Sequence, residues 1–118
     1  PPQSKKSNFG HSLGHIIEKH YKYEKYSHGE AVAIGMYKIT QKSEDIEITR
    51  IGTADLIKEI LIRYHLPYEM PLIDKGKIIQ SMGLDKKKQG QYINLVFLKE
   101  IGEAYIEKIH SKDISSFV

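Results

Sequence analysis

One run limits this chain more than any other: Ser27-His28-Gly29-Glu30, followed by Ala31-Val32-Ala33-Ile34-Gly35-Met36-Tyr37. A serine with a glutamate three positions on forms a capping box, in which each side chain satisfies a backbone amide that the first turn leaves unpaired. The run therefore starts a helix, which the pattern extends from Ser27 to about Ser43. Its first half is apolar on nearly every side, and such a helix has to be buried. The rest of the fold must then be built around Ala31–Tyr37. Ala31 and Gly35 share a face and leave room for a neighbouring helix. Core packing accounts for this stretch without a further role.

The chemistry-bearing residues gather just before that helix. Asn8-Phe9-Gly10-His11-Ser12-Leu13-Gly14-His15 carries two histidines spaced i, i+4, so both rings belong to one helix face. This first helix is expected from about Gly10 to His20, with Leu13, Ile16 and Ile17 turned to the core. Tyr21–Tyr26 is polar and lacks a sustained apolar period, which suits a chain reversal, and His28 would then return in the first turn of the second helix. Neutral imidazoles from two elements suit a divalent ion such as Zn²⁺. A helix N-terminus keeps the ring in its ligating form and also attracts phosphate. The same i, i+4 pair occurs on plain surface or packed helices, and spacing alone leaves the two readings open. Gly10 and Gly14 each cost roughly 1 kcal/mol inside a helix, and are best tolerated where a ligand or a second backbone comes close. Glu30 serves either as the cap or as a second-shell partner of a ligating histidine.

Beyond Ser43, Ile48 to Tyr64 repeats apolar residues at Ile57, Ile60, Leu61 and Tyr64, which reads as an amphipathic third helix ended by Leu66-Pro67. His65 is a helix-end or surface residue without assigned chemistry. Pro71 to Asp74 is a loop, and Lys75 to Met82 a short fourth helix through Ile78 and Ile79. Gln91–Leu98 and Glu103–Ile109 read as a β-hairpin joined through Lys99–Gly102, and a hairpin of this kind needs a helical surface to cover it. The expected architecture is thus mainly α: about four helices around Ala31–Tyr37 with one small β-hairpin. Residues 1–7 read as a disordered or extended lead-in.

With 118 residues the chain is one domain, small for a nucleotide-dependent enzyme. Its net charge of +3 comes from scattered lysines, without an aromatic-basic or zinc-finger pattern, so nucleic acid is not an expected partner. There is no cysteine, which excludes disulfides and thiolate metal sites and accords with a cytoplasmic setting. No apolar run approaches the roughly 20 residues of a membrane span, and the N-terminus has no signal-peptide apolar region.

Asn8–Glu18 and His28-Gly29-Glu30-Ala31-Val32-Ala33-Ile34-Gly35-Met36 together resemble the signature of the 3-dehydroquinate synthase family. Met82-Gly83-Leu84-Asp85-Lys86-Lys87-Lys88 resembles that family's Asp-Lys-Lys segment, and Ile101-Gly102 its turn between strands. The resemblance implies the C-terminal helical domain of the family, here residues 8–118. It implies His11 and His28 as ligands of Zn²⁺ or Co²⁺, Asn8, His15 and Lys86 as substrate-binding residues, and His15 as a catalytic one. The implied activity is an NAD- and metal-dependent lyase that converts 3-deoxy-D-arabino-heptulosonate 7-phosphate into 3-dehydroquinate and phosphate in the shikimate pathway. NAD and the family's glutamate ligand belong to an N-terminal α/β domain for which no strand, glycine-rich turn and helix occur here. The chain is accordingly expected to be inactive alone, and to act on a sugar phosphate as a homodimer or with a missing N-terminal half. Glu18 and Glu30 are the substitute ligands on offer, though neither matches the family position. Ser4 stands where the family usually has an arginine that helps bind substrate, a departure that implies a non-family lead-in over residues 1–7. The alternatives are a related cyclase such as 2-deoxy-scyllo-inosose synthase, a metal-dependent polyol dehydrogenase, and a non-catalytic helical interaction domain.

Overall fold

The computed structural model describes residues 6–81 and 92–117, with the side chains of residues 6–12, 93–96, 104–107, 111, 112 and 115 left aside. In chain order the elements are strand β1 (Lys6–Asn8), helices α1 (Phe9–His20), α2 (His28–Asp45), α3 (Thr53–Arg63) and α4 (Lys75–Ser81), strands β2 (Tyr92–Glu100) and β3 (Glu103–His110), and a closing 3₁₀ turn (Ser111–Ser116). The mainly helical architecture and the C-terminal hairpin agree with the sequence pattern.

α2 is the central element, and both hydrophobic clusters formed by the described residues draw on it. One gathers Leu13, Ile16 and Ile17 of α1, Ala31 and Ile34 of α2, Ile78 and Ile79 of α4, and Phe97, Ile114 and Phe117 from the C-terminal part. The other sets Ala33 and Tyr37 of α2 against Ala54, Ile57 and Leu61 of α3. α1 and α2 meet at backbone distance. A Cβ on Gly14 would lie 2.9 Å from the Ala31 carbonyl oxygen and from the Val32 N and Cα. Of the two explanations open for this glycine, the close approach of a second backbone is the one found here.

α1, α2 and α3 end in the same way. Tyr23 N–H donates to Glu18 O while Lys22 N–H donates to Lys19 O; the same pair of bonds joins Ile48 to Ser43 and Glu47 to Glu44, and Leu66 to Leu61 and His65 to Ile62. This double bond pattern needs a left-handed residue after the helix, a place usually taken by glycine. Here Lys22, Glu47 and His65 occupy it, with φ of 56°, 64° and 58°.

The third helix begins later than the sequence pattern suggested. Residues 46–52 are turns and loop, and α3 starts at Thr53 because Gly52, with φ of 97°, breaks the backbone path before it. Gly52 has no side chain to cap α3, so Glu44 of α2 does so, accepting from the Gly52 amide at 2.5 Å and the Ala54 amide at 3.3 Å. α3 stops at Arg63, before Leu66-Pro67, because His65 has already turned the chain. Its buried stripe is also narrower than expected. Ile57 and Leu61 are buried, whereas Ile60 and Tyr64 are exposed, along with Ile51 and Leu56.

The hairpin is part of a three-stranded sheet of order β1-β2-β3. β2 and β3 are antiparallel around Ile101-Gly102, and β1 pairs parallel with β2 in the register Lys6↔Asn94 to Asn8↔Val96. The lead-in to α1 is thus a paired strand, which three mixed residues did not announce. The ladder shifts register between Leu98 and Glu100, and there the carbonyls of Leu98 and Lys99 turn to the loop after α2. Thr49 Oγ1 donates to the Leu98 carbonyl and lies 2.6 Å from Ser43 Oγ, while the Arg50 amide donates to the Lys99 carbonyl at 2.6 Å. The C-terminal tail buries Ile114 and Phe117; the Phe117 ring lies 5.3 Å from that of Phe97. Met82 and Gln91, expected in the fourth helix and the hairpin, lie outside the described residues.

Replacing Gly14 by alanine tests the helix contact. The gain in helix propensity, about 1 kcal/mol, should be outweighed by overpacking against backbone that cannot rotate away, which typically costs about 1–3 kcal/mol. Urea unfolding should show a lower midpoint for Gly14→Ala. Gly29→Ala, whose Cβ would meet nothing within 4 Å, should not lower it.

Candidate functional site

The candidate site lies where α1, the reversal after it and the start of α2 meet. Tyr21–Tyr26 forms the expected reversal, with Lys22 and Tyr23 both left-handed. Ser27 caps α2: its Oγ accepts from the Glu30 amide at 3.1 Å, and Glu30 Oε1 accepts from the Ser27 amide at 2.8 Å. The capping box is therefore formed in full, and Glu30 is engaged as a cap. His28 is the first residue of α2, as the pattern required.

The partner that reaches His28 is Glu18. Its Oε1 lies 2.7 Å from His28 Nδ1. A carboxylate has no hydrogen to give, so Nδ1–H donates, and the neutral form of a ring held this way carries its lone pair on Nε2. The two side chains differ sharply in exposure, 59% for His28 and 10% for Glu18. A buried acceptor thus holds a half-exposed imidazole. Glu18 stands one turn after Gly14, so it shares the α1 face that meets α2. Of the two roles the sequence leaves open for Glu30, the cap is the one found; the carboxylate beside His28 is that of Glu18, on the stripe it shares with Gly14.

The other sequence-derived residues are distributed as follows. Asn8 ends β1, immediately before the first residue of α1, and His11 lies in the first turn of α1; their side chains are among those left aside. His15 is exposed, with its ring 6.5 Å from that of Tyr23. Lys86 lies outside the described residues. Among the described residues no three His, Asp or Glu side chains come together as a metal cage. Lys38, further along α2, has its ammonium pKa lowered by partial burial and then by Lys42 and Lys75. It stands ten residues from His28, about 15 Å along the helix, and takes no part in the site.

The model of the 3-dehydroquinate synthase C-terminal family matches residues 4–88. The chain belongs to that family. It is 45% identical over 111 residues to a 3-dehydroquinate synthase of Clostridium acetobutylicum and 49% identical over 111 residues to one of Clostridium kluyveri. Each match covers 94% of this chain and 31% of the relative, so the chain spans about a third of the length of these synthases. Among solved structures, a 2-deoxy-scyllo-inosose synthase complexed with carbaglucose-6-phosphate, NAD⁺ and Co²⁺ superposes with a TM-score of 0.70 at 18% identity, over 91% of this chain and 32% of that one. That likeness shows a shared fold. The family match includes Ser4 and the strand residues, and reaches through Lys86. No helix among the described residues is long and apolar enough to cross a membrane.

Ser27→Ala removes one half of the capping box. A lost N-cap typically costs about 1 kcal/mol, so the first turn that carries His28 should open more readily. Hydrogen exchange at the Glu30 amide is expected to accelerate several-fold more than at amides in the middle of α2.

Proposed function

We propose that this chain supplies the C-terminal half of a 3-dehydroquinate synthase active site, acting on 3-deoxy-D-arabino-heptulosonate 7-phosphate as part of the complete enzyme. The observation that carries this reading is the hydrogen bond from His28 to buried Glu18, at a histidine of the family signature. Metal-ligating histidines almost always donate their second ring N–H to a carboxylate, carbonyl or water. His28 has that arrangement. His11 falls on the same α1 stripe as Gly14 and Glu18 by helical periodicity, so its backbone position is compatible with a shared ion.

In this reading His28 and His11 hold Zn²⁺ or Co²⁺ together with a glutamate from the N-terminal domain, and that domain also binds NAD. The ion, when bound, acts as a Lewis acid toward the hydroxyl that is oxidised. The chain's own residues bind and orient the substrate. Asn8 stands at the junction of a strand and a helix N-terminus, where backbone amides favour an anion. Lys86 supplies a point charge to the phosphate that leaves. His15, exposed beside Tyr23, faces substrate and takes the catalytic part assigned to it. A cytoplasmic setting, a sugar-phosphate substrate and pairing with a second subunit or the N-terminal half belong to the same proposal. Identity of 45–49% to the synthases against 18% to the inosose synthase favours the shikimate reaction over the related cyclase.

Calorimetric titration of Zn²⁺ or Co²⁺ into the 118-residue chain should give weak binding that is lost in both His11→Ala and His28→Ala. Binding unchanged in both variants would overturn the assignment. With only half of a site, the chain mixed with substrate, NAD and either metal should release no phosphate above background, and a steady release in a phosphate assay would contradict the proposal.

A further inference from the structure

We propose that Glu18 is a positioning residue for His28: by accepting the Nδ1 hydrogen it fixes the ring tautomer and orientation, so that Nε2 is the nitrogen offered to a metal ion. The inference deepens the functional reading above and rests on it for the identity of the ligand, while its geometry stands independently.

Three observations carry it. The contact is short, with Oε1 2.7 Å from Nδ1. The carboxylate belongs to a residue only 8% exposed, and a carboxylate buried for packing alone would be costly. Its geometry is also set from several sides. Gly14 seats α1 on Ala31 and Val32, the Glu18 carbonyl accepts from Tyr23 N–H to end α1, and Ser27 fixes the first turn of α2. The donor and acceptor are therefore held by two separate helices at one crossing. Glu30 is excluded from this part because its carboxylate accepts from the Ser27 amide.

A structural role for Glu18 would show in stability alone, whereas a positioning role shows at the imidazole. The test uses the 118-residue chain, Glu18→Gln and Glu18→Leu, each checked for fold by circular dichroism. Imidazole ¹⁵N shifts of His28, assigned with His28→Ala, are read without metal at a pH where the ring is neutral. The wild-type chain should hold the Nδ1–H tautomer. Glu18→Leu, which removes the acceptor, should move most of the population to Nε2–H, and Glu18→Gln, which retains an acceptor oxygen, should lie between. Co²⁺ affinity should fall by roughly 10–100-fold in Glu18→Leu and less in Glu18→Gln.

A wild-type ring in the Nε2–H form, or a tautomer that does not change in folded Glu18→Leu, overturns the proposal. If the leucine variant does not fold, the decision falls to Glu18→Gln: a mixed tautomer supports positioning and an unchanged one rejects it. Absence of metal binding in the wild-type chain together with the expected tautomer shift would reject the functional reading and leave Glu18's control of the ring in place.

Discussion

The approach of α1 to α2 at Gly14 is the contact on which the other features depend. A Cβ at Gly14 would lie 2.9 Å from the Ala31–Val32 backbone, so the two helices are too close to admit even a methyl group between them. That spacing brings Glu18 to His28, and it places Leu13 and Ile17, both with no exposed surface, against Ala31 and Ile34. A wider crossing would loosen the core and break the hydrogen bond at the site together. Packing and chemistry are therefore set by one residue whose contribution is the absence of a side chain.

The hairpin is attached to the helices through polar groups as well as apolar ones. Ser43 and Thr49, both buried, lead from the end of α2 to the Leu98 carbonyl, beside the ladder irregularity that turns that carbonyl outward. Buried hydroxyls are costly when unpaired, so this link fixes one docking position for the sheet. Glu44 extends the same logic to α3, whose first amides it caps from α2. The segments around residues 43–54 thus depend on tertiary partners, and α3 draws little on its own sequence for a start signal.

These dependencies decide what could be read from sequence. The capping box, the apolar run of α2, the reversal before it and the hairpin were legible because each is specified within a few residues. The boundaries of α3 were not. Its cap is a side chain eight residues upstream of Gly52, and its end uses His65 in a left-handed conformation without the glycine that usually marks one. Reading Ile60 and Tyr64 as core failed because the apolar period of α3 is wider than the stripe that α2 covers. At the site, His28 stands in the first turn of its helix and Glu30 caps it, both as the local pattern indicates, but nothing within a few residues pairs His28 with Glu18. The bond crosses from α1, and only the coincidence of Glu18 with the Gly14 face pointed there.

Strand β1 has a consequence for the order of events during synthesis. It leads directly into the histidine helix, yet its hydrogen-bonding neighbour is β2, near the other end of the polypeptide. Contacts that join distant stretches form late, after the entropy of closing the intervening loop has been met. A nascent chain can therefore assemble α1, α2 and α3 while the residues at the mouth of α1 still lack their neighbour. The strand at the mouth of α1 is completed only when β2 has left the ribosome, and because Phe97, Ile114 and Phe117 pack on the same core, a product truncated before the hairpin would leave α1 and α2 with part of that core uncovered.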